Sequence, residues 1–72
     1  MKAIIVDDEM LALDSMGRML QRLDVEVLAA VQNPREALKL TDWERTDVVF
    51  MDIDMPGMNG LELAALLQST YT

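Results

Sequence analysis

Three aspartates stand where two apolar segments of the sequence end. Asp7 and Asp8 follow the apolar run at residues 3–6, and Asp52 follows the apolar run at residues 48–51. If these runs are neighbouring parallel strands, about 4.8 Å apart, the carboxylates share one small pocket. Crowded like charges raise each other's pKa, so such a cluster calls for a hard divalent cation with oxygen ligands. We expect Mg²⁺, and a cation there would let one carboxylate attack a phosphorus atom.

A simpler interpretation is that residues 7–9 (Asp-Asp-Glu) cap the helix that follows them. Acidic side chains suit the positive end of a helix dipole, and a single acid after a strand would favour capping. Two acids, with Asp52 expected across a crevice, favour a functional site instead. Both interpretations stay open on the residues alone.

Strand and helix patterns alternate three times along the chain. Apolar segments rich in β-branched residues predict three strands, at residues 3–6, 25–31 and 47–51. Apolar residues at helical spacing predict a helix at residues 10–23. Two further helices are predicted from Asn33-Pro34 to about Asp42 and from Asn59 through Leu67. The β-α-β-α-β-α order indicates an α/β domain with a parallel sheet. Because all three strands are predicted to be buried on both faces, helices must cover both faces. The strand order is then 2-1-3, with a crevice at the carboxyl ends of strands one and three.

Composition limits the classes of protein that remain. A chain of 72 residues allows one small domain, and 51% apolar residues do not fit a disordered acidic tail. The absence of cysteine and histidine excludes thiolate or imidazole metal sites and Ser-His-Asp or Cys-His catalysis. A net charge of -7 makes nucleic-acid or anionic-membrane binding by this chain unfavourable. No signal-peptide core or bilayer-spanning run is present, so we expect a cytoplasmic protein.

Two motifs together resemble the receiver domain of two-component response regulators. The first is residues 4–9 (IIVDDE), and the second is residues 48–60 (VVFMDIDMPGMNG). Each is moderately specific, but both in this order within a β-α-β-α-β-α pattern are strongly specific. The resemblance covers residues 1–72 and implies a flavodoxin-like fold. Asn59 stands where many receivers have aspartate, and either side chain can cap the third helix.

The resemblance assigns a role to each acid. It implies that Asp52 is the phosphate-accepting residue and that a sensor histidine kinase is the partner that donates the phosphoryl group. It implies that Asp7 and Asp8 hold Mg²⁺, directly or through water. Asp54 matches the position whose backbone carbonyl ligates the metal. The protein would then be a signalling domain that accepts a phosphoryl group.

Receiver domains have five strands, and this sequence contains only the first three. We therefore expect residues 1–72 to be a truncated receiver domain that lacks strands 4–5. The family's switch Ser or Thr and its phosphate-pairing Lys follow those strands, so we expect phosphoryl transfer by this chain to be impaired. The apolar third strand would be an exposed edge, which predicts self-association. DNA binding is left to an output domain outside the chain; residues 7–13 resemble regulators with a LytTR-type DNA-binding domain.

Two other functions compete with the receiver. Residues 51–54 (MDID) resemble the DxD start of haloacid-dehalogenase-type phosphohydrolases, with Asp52 as nucleophile and Asp54 as general acid. That interpretation leaves Asp7 and Asp8 unexplained, and Pro56 fits poorly in an active-site turn of that kind. The other possibility is an inactive structural fragment that self-associates. Multiple turnover of a phosphomonoester would favour the hydrolase, whereas one stoichiometric acyl phosphate on Asp52 would favour the receiver.

Overall fold

A single parallel sheet forms the centre of the protein. A computed structural model describes residues 1–41, 43–52 and 59–71, with side chains through residue 66. Strand β1 (Lys2–Val6) lies between β2 (Glu26–Val31) and β3 (Val48–Met51), and both pairings are parallel. The strand order β2-β1-β3 confirms the topology predicted from the alternating pattern.

Three α-helices complete the predicted alternation: α1 (Met10–Arg22), α2 (Pro34–Lys39) and α3 (Gly60–Tyr71). Asn33 and Asn59 cap α2 and α3, as predicted. In each case the side-chain oxygen accepts a 2.9 Å hydrogen bond from the backbone N–H three residues later, which satisfies a donor that the helix leaves unpaired. Among the described residues, no helix is long and apolar enough to cross a bilayer.

The second helix is shorter than its sequence pattern predicts. Asp42, the predicted end, lies outside the described residues, and the helix already ends at Lys39 because the backbone of Leu40 is extended. The chain turns so that Trp43 is buried, and its indole N–H donates a 2.9 Å hydrogen bond to the carbonyl of Ala37. This bond uses a helix-terminal carbonyl, so burying the indole offsets the loss of the last helical turn.

The core is divided into two layers by the alternating side chains of β1. One layer contains Ile4 and Val6 with residues of α2, α3 and the turn between α2 and β3; its buried members are Ile4, Val6, Ala37, Trp43 and Leu63. The other layer packs the opposite face of β1 against α1; its buried members are Ala3, Ile5, Leu13 and Leu20. Helices therefore cover both faces of the sheet, as predicted.

The prediction that all three strands are buried on both faces is wrong for β2 and β3, although the exposure of β3 agrees with the expectation that it is an edge strand in this chain. All four residues from Ala3 to Val6 are buried, but no residue of β2 or β3 is, and Val49 is 36% exposed. Within the described part of the chain, β2 and β3 each have a strand neighbour on one side only. An apolar strand sequence does not distinguish a central strand from a strand at the edge of a small sheet, because the propensities are the same.

Helix α1 ends in a Schellman motif built on an aspartate. Asp24 has a φ of 60°, in the left-handed region. The N–H of Asp24 bonds the carbonyl of Gln21 at 3.1 Å, and the N–H of Val25 bonds the carbonyl of Leu20 at 2.9 Å. Glycine or asparagine is usual at this position, and the negative charge lies at the negative end of the helix dipole.

Replacing Asp24 by asparagine is therefore expected to stabilise the fold. The substitution would keep a side chain that tolerates the left-handed conformation and would remove the unfavourable charge, for a gain of about 0.3–1 kcal/mol in the free energy of unfolding. Urea denaturation followed by circular dichroism measures this change. The matched variant Asp24→Ala removes the same charge but tolerates the conformation less well, so it should be less stable than Asp24→Asn. Equal stability of the two variants would contradict the conformational part of this explanation.

Candidate metal centre

The carboxyl ends of β1 and β3 bring the predicted acidic residues into register. Val6 lies opposite Met51 in the parallel pairing, and the N–H of Asp52 donates a 2.9 Å hydrogen bond to the carbonyl of Val6. On the other side of β1, the N–H of Asp7 donates a 3.1 Å hydrogen bond to the carbonyl of Val31. The sheet hydrogen bonds thus continue one residue past the strands and hold the backbones of Asp7 and Asp52 at the same edge.

Three carboxylates meet at this edge. One oxygen from each of Asp7, Asp8 and Asp52 lies within 4.8 Å of the others. Asp7 and Asp52 are half-buried, so the cluster is in contact with both the protein and the solvent. The structure therefore brings together the three side chains that the sequence analysis singled out. Asp54 and the loop around it, residues 53–58, lie outside the described residues, and the ligand role of the Asp54 carbonyl stays a prediction.

Capping of α1 does not account for these acids. The N-cap residue is Glu9, its side chain makes no capping hydrogen bond, and no acid lies in the first turn of the helix. The N–H of Glu9 instead donates a 3.0 Å hydrogen bond to Oδ1 of Asp7, ahead of the helix. This bond fixes the turn that carries Asp7 and Asp8, and the metal-binding role of the acidic pair stays a prediction.

The electrostatics of the cluster are visible in one carboxyl group. Partial desolvation raises the pKa of Asp8, and so do a hydrogen bond with the side chain of Asp52 and the negative charges of Asp52 and Asp7. A hydrogen bond from the backbone of Asp8 itself opposes this shift. In the absence of a cation, the Asp8 carboxyl therefore holds a proton more tightly than an ordinary aspartate does, because ionised carboxylates at this distance repel each other.

The donor set fits a small, hard divalent cation. All the candidate ligand atoms are carboxylate oxygens, and the chain contains no cysteine or histidine that would suit a softer metal. The partial exposure of Asp7 and Asp52 leaves access for water molecules, which Mg²⁺ normally retains. A cation bound here would offset the repulsion between the carboxylates.

An open cleft begins at the carboxylates and extends between α1 and β3. Three charged residues line it, Asp7, Glu9 and Asp52, together with six apolar ones: Ile5, Val6, Ala12, Met16, Phe50 and Met51. The sequence analysis missed Glu9 as part of this cleft and treated it only as a possible cap. The signal that was available is that glutamate is a poor N-cap residue.

The comparison with known protein families decides which class of protein this site belongs to. A family model described as the response regulator receiver domain matches residues 3–72. The chain belongs to this family. The receiver assignment therefore rests on nearly the whole chain, and the parallel β2-β1-β3 sheet is the first part of the receiver fold.

Curated relatives are regulatory proteins about three times longer than this chain. It is 45% identical over 69 residues to the positive alginate biosynthesis regulatory protein of Pseudomonas aeruginosa, covering 93% of this receiver and 28% of the relative. It is 34% identical over 68 residues to the DNA-binding transcriptional activator EvgA of Escherichia coli, covering 94% of this receiver and 33% of the relative. The receiver thus spans about a third or less of the length of these relatives.

Solved structures of similar receivers include a beryllium fluoride complex and a kinase complex. The response regulator TrrA of Thermotoga maritima, in complex with Mg²⁺ and a beryllium fluoride, superposes with a TM-score of 0.83 at 35% identity over 96% of this receiver and 59% of TrrA. The complex of the histidine kinase ThkA with TrrA matches with a TM-score of 0.80 at 35% identity, covering 94% of this receiver and 58% of that chain.

Proposed function

We propose that this receiver accepts a phosphoryl group on Asp52 from a phosphohistidine of a sensor histidine kinase. The single observation that supports this role is the meeting of three carboxylate oxygens within 4.8 Å at the carboxyl ends of β1 and β3. In this proposal Asp7, Asp8 and Asp52 hold Mg²⁺ together with the backbone carbonyl of Asp54. Residues 1–72 would be the first part of a receiver domain, and weakened phosphoryl transfer in this chain stays a prediction.

The chemistry needs only one nucleophile from this chain. A carboxylate oxygen of Asp52 attacks the phosphorus in line, a new P–O bond forms, and the P–N bond to the donor imidazole breaks. The electron pair of that bond leaves with the imidazole, and Asp52 becomes an acyl phosphate. When bound, Mg²⁺ neutralises negative charge on the carboxylates and on the transferring oxygens. Asp7 and Asp8 would hold the cation at the edge that the sheet hydrogen bonds define.

The proposed partners follow from the relatives. TrrA is bound to a histidine kinase in its complex with ThkA, which supports a kinase as the phosphoryl donor here. EvgA is a DNA-binding activator, which supports a regulator whose DNA-binding part lies in other residues than these. Because such a kinase would take its phosphoryl group from ATP, the proposed location of this receiver is the cytoplasm. The added negative charge on Asp52 would then shift a conformational equilibrium in the regulator.

Beryllofluoride and Mg²⁺ provide a direct test. In ¹H–¹⁵N NMR spectra of the chain, the two together should shift the backbone amides next to the carboxylates, at residues 7–9 and 52. The amides at the amino ends of the strands, such as Glu26, should shift much less. The variant Asp52→Asn should remove the beryllofluoride response. An identical spectrum with and without both reagents, at saturating Mg²⁺, would contradict the proposed site.

A second proposal concerns the outer edge of β3. Among the described residues, β3 pairs only with β1, and the strand carries no charged side chain. Val49 is 36% exposed, and α3 exposes Leu61 (68%) and Leu66 (45%). An uncharged apolar edge is a template for pairing with another chain, so we propose that the 72-residue chain self-associates through β3.

A lysine at the exposed position of β3 should prevent this association. Val49→Lys is expected to shift the sedimentation coefficient toward that of the monomer, because a charged side chain on an edge strand opposes pairing. Val49→Thr is the matched control, since threonine keeps the β propensity without adding charge. A wild-type chain that sediments as a folded monomer at micromolar concentration would contradict the proposal.

A further inference from the structure

Glu9 lines the cleft and lies at the start of helix α1, but its side chain does not cap that helix. It is the N-cap of α1, but its side chain makes no capping hydrogen bond. Asn33 and Asn59, the caps of the other two helices, both accept bonds from the N–H three residues later. Asparagine, aspartate or serine would cap α1 better than glutamate does. Capping of α1 therefore does not explain why a glutamate occupies this position.

The backbone of Glu9 is held firmly on both sides. Its N–H donates a 3.0 Å hydrogen bond to Oδ1 of Asp7, and its carbonyl accepts a 3.1 Å hydrogen bond from the N–H of Leu13. The side chain is exposed and lines the cleft together with Asp7 and Asp52. The backbone of Glu9 is therefore fixed two residues after Asp7, and its side chain is open to the solvent from which ions and phosphoryl donors arrive.

Among the described residues, all the charged ones that line this cleft are acidic. They are Asp7, Glu9 and Asp52, and no lysine or arginine is among the lining residues. The ion pair within α1 that the structure shows, Arg18 with Asp14 at 2.9 Å, lies outside the cleft. No basic side chain among the described lining residues offsets the charge of Glu9, which adds to the field that an approaching ion meets.

We propose that Glu9 selects by charge what reaches Asp52: it strengthens the binding of the divalent cation and disfavours phosphoryl donors in proportion to their negative charge. This inference rests on the proposed function, since it assigns a selecting role beside the same site. A unit charge at the rim of a solvated cleft changes the affinity for a doubly charged ion by about two- to fivefold at low ionic strength. The effect should shrink as salt is added, because the interaction is screened.

Small donors of different charge make the selection measurable. Acetyl phosphate is a dianion near neutral pH, whereas phosphoramidate carries less negative charge. In both reactions an oxygen of Asp52 forms the new bond to phosphorus. With acetyl phosphate a P–O bond breaks and acetate leaves with its electron pair. With phosphoramidate the P–N bond to the protonated nitrogen breaks and ammonia leaves with its electron pair. Glu9 takes no part in these bonds, so its removal should change the ratio of the two rates and not the products.

The test compares Glu9→Gln with Glu26→Gln. Both variants remove one negative charge, but Glu26 is exposed and lies at the start of β2, paired with Lys2 at the opposite end of the sheet from the carboxylates. Affinity for Mg²⁺ is measured by NMR titration of backbone amides, and phosphorylation rates with acetyl phosphate and phosphoramidate are measured at matched Mg²⁺ saturation. Thermal denaturation reports whether either variant changes the fold.

Glu9→Gln is expected to weaken Mg²⁺ binding about two- to fivefold at low salt and to raise the acetyl phosphate rate more than the phosphoramidate rate. Glu26→Gln should leave both quantities near the wild-type values. If the two variants behave alike, or if the difference persists undiminished at high salt, the role of Glu9 is wrong while the proposed function stands. If the wild-type chain binds no Mg²⁺ and forms no acyl phosphate, both proposals fail together.

Discussion

Replacing Asp52 by asparagine is expected to abolish phosphorylation of the chain. The amide of asparagine lacks the ionised oxygen that attacks phosphorus, and no other described carboxylate follows β3 directly. Incubation with Mg²⁺ and acetyl phosphate, followed by intact mass measurement, should show one added phosphoryl group on the wild type and none on the variant. Asp24→Asn is the matched control, because it removes one aspartate charge at the far end of α1 and should leave the labelling intact.

The same experiment separates the receiver from a hydrolase. A receiver forms one stoichiometric acyl phosphate on Asp52, whereas a phosphohydrolase turns over a phosphomonoester many times. Labelling of the Asp52→Asn variant at the wild-type level would show that another residue is the acceptor. Repeated turnover of a phosphomonoester by the wild type would support the alternative in which Asp52 and Asp54 act as nucleophile and general acid.

The Asp52 substitution should also stabilise the metal-free fold. Oxygens of Asp7, Asp8 and Asp52 lie within 4.8 Å of one another, so removing one charge relieves repulsion that the other two experience. We expect a higher thermal midpoint for Asp52→Asn than for the wild type in the presence of a chelator. Excess Mg²⁺ should narrow or reverse this difference, because cation binding stabilises only the form with the full carboxylate set. A lower midpoint without metal would contradict the shared cluster.

The second large effect is expected at Asp8. Asp8→Asn should weaken Mg²⁺ binding by about tenfold or more, since an ionised oxygen ligand is replaced by a neutral one. Titration of the backbone amides at residues 7–9 and 52 by NMR measures the change directly. Asp14→Asn, on the exposed face of α1, is a control for the loss of one negative charge. Unchanged affinity in Asp8→Asn would exclude this carboxylate from the metal site.

The raised pKa of Asp8 predicts that the metal-free fold becomes less stable as the pH rises. Its pKa is raised in the folded state, by desolvation first and then by its hydrogen bond with Asp52 and the neighbouring charges. The folded state therefore holds this proton more tightly than the unfolded state does. The stabilisation is fully present below the ordinary aspartate pKa and is lost as the pH rises through the raised pKa of Asp8.

Urea denaturation at a series of acidic to neutral pH values, with chelator present, tests this linkage. In the variant Asp8→Asn, the free energy of unfolding should no longer fall as the pH rises through the raised pKa of Asp8. In the wild type, saturating Mg²⁺ should also remove this fall. A pH profile that is the same for the wild type and Asp8→Asn would show that the pKa of Asp8 is not raised in the folded state.

The fold could be predicted largely because its signals are local. The β-branched run at residues 3–6 and the helical spacing between Met10 and Leu23 are periodic patterns of a few residues, and they predicted β1 and α1 within a residue or so of their ends. Asn33 and Asn59 predicted two helix starts because a cap acts on an N–H three residues away. Predicting buried strands then required helices on both faces, and that requirement led to the order β2-β1-β3.

Features that depend on tertiary contacts between side chains and other elements were not predictable in this way. Helix α2 ends early because Trp43, four residues past its last residue, is buried and bonds the carbonyl of Ala37. The half-exposure of β2 depends on which strands lie beside it, and an apolar sequence does not contain that information; the exposed edge at β3 was predicted only from the resemblance to a five-stranded family. The distinction between Glu9 as a cap and Glu9 as a wall of the cleft likewise depends on where its side chain lies.

The sequence by itself determined which acids are present, that they follow strands, and that those strands are parallel neighbours, because strand periodicity and connection length act over short stretches of chain. The tertiary structure alone decided that the oxygens of Asp7, Asp8 and Asp52 come within 4.8 Å, and that Asp8 bonds Asp52 while Asp7 bonds the N–H of Glu9. The physical reason is that a carboxylate at a strand end can bond a nearby backbone N–H, as Asp7 does, or a side chain more than forty positions away, as Asp8 does, and only the folded arrangement selects between them.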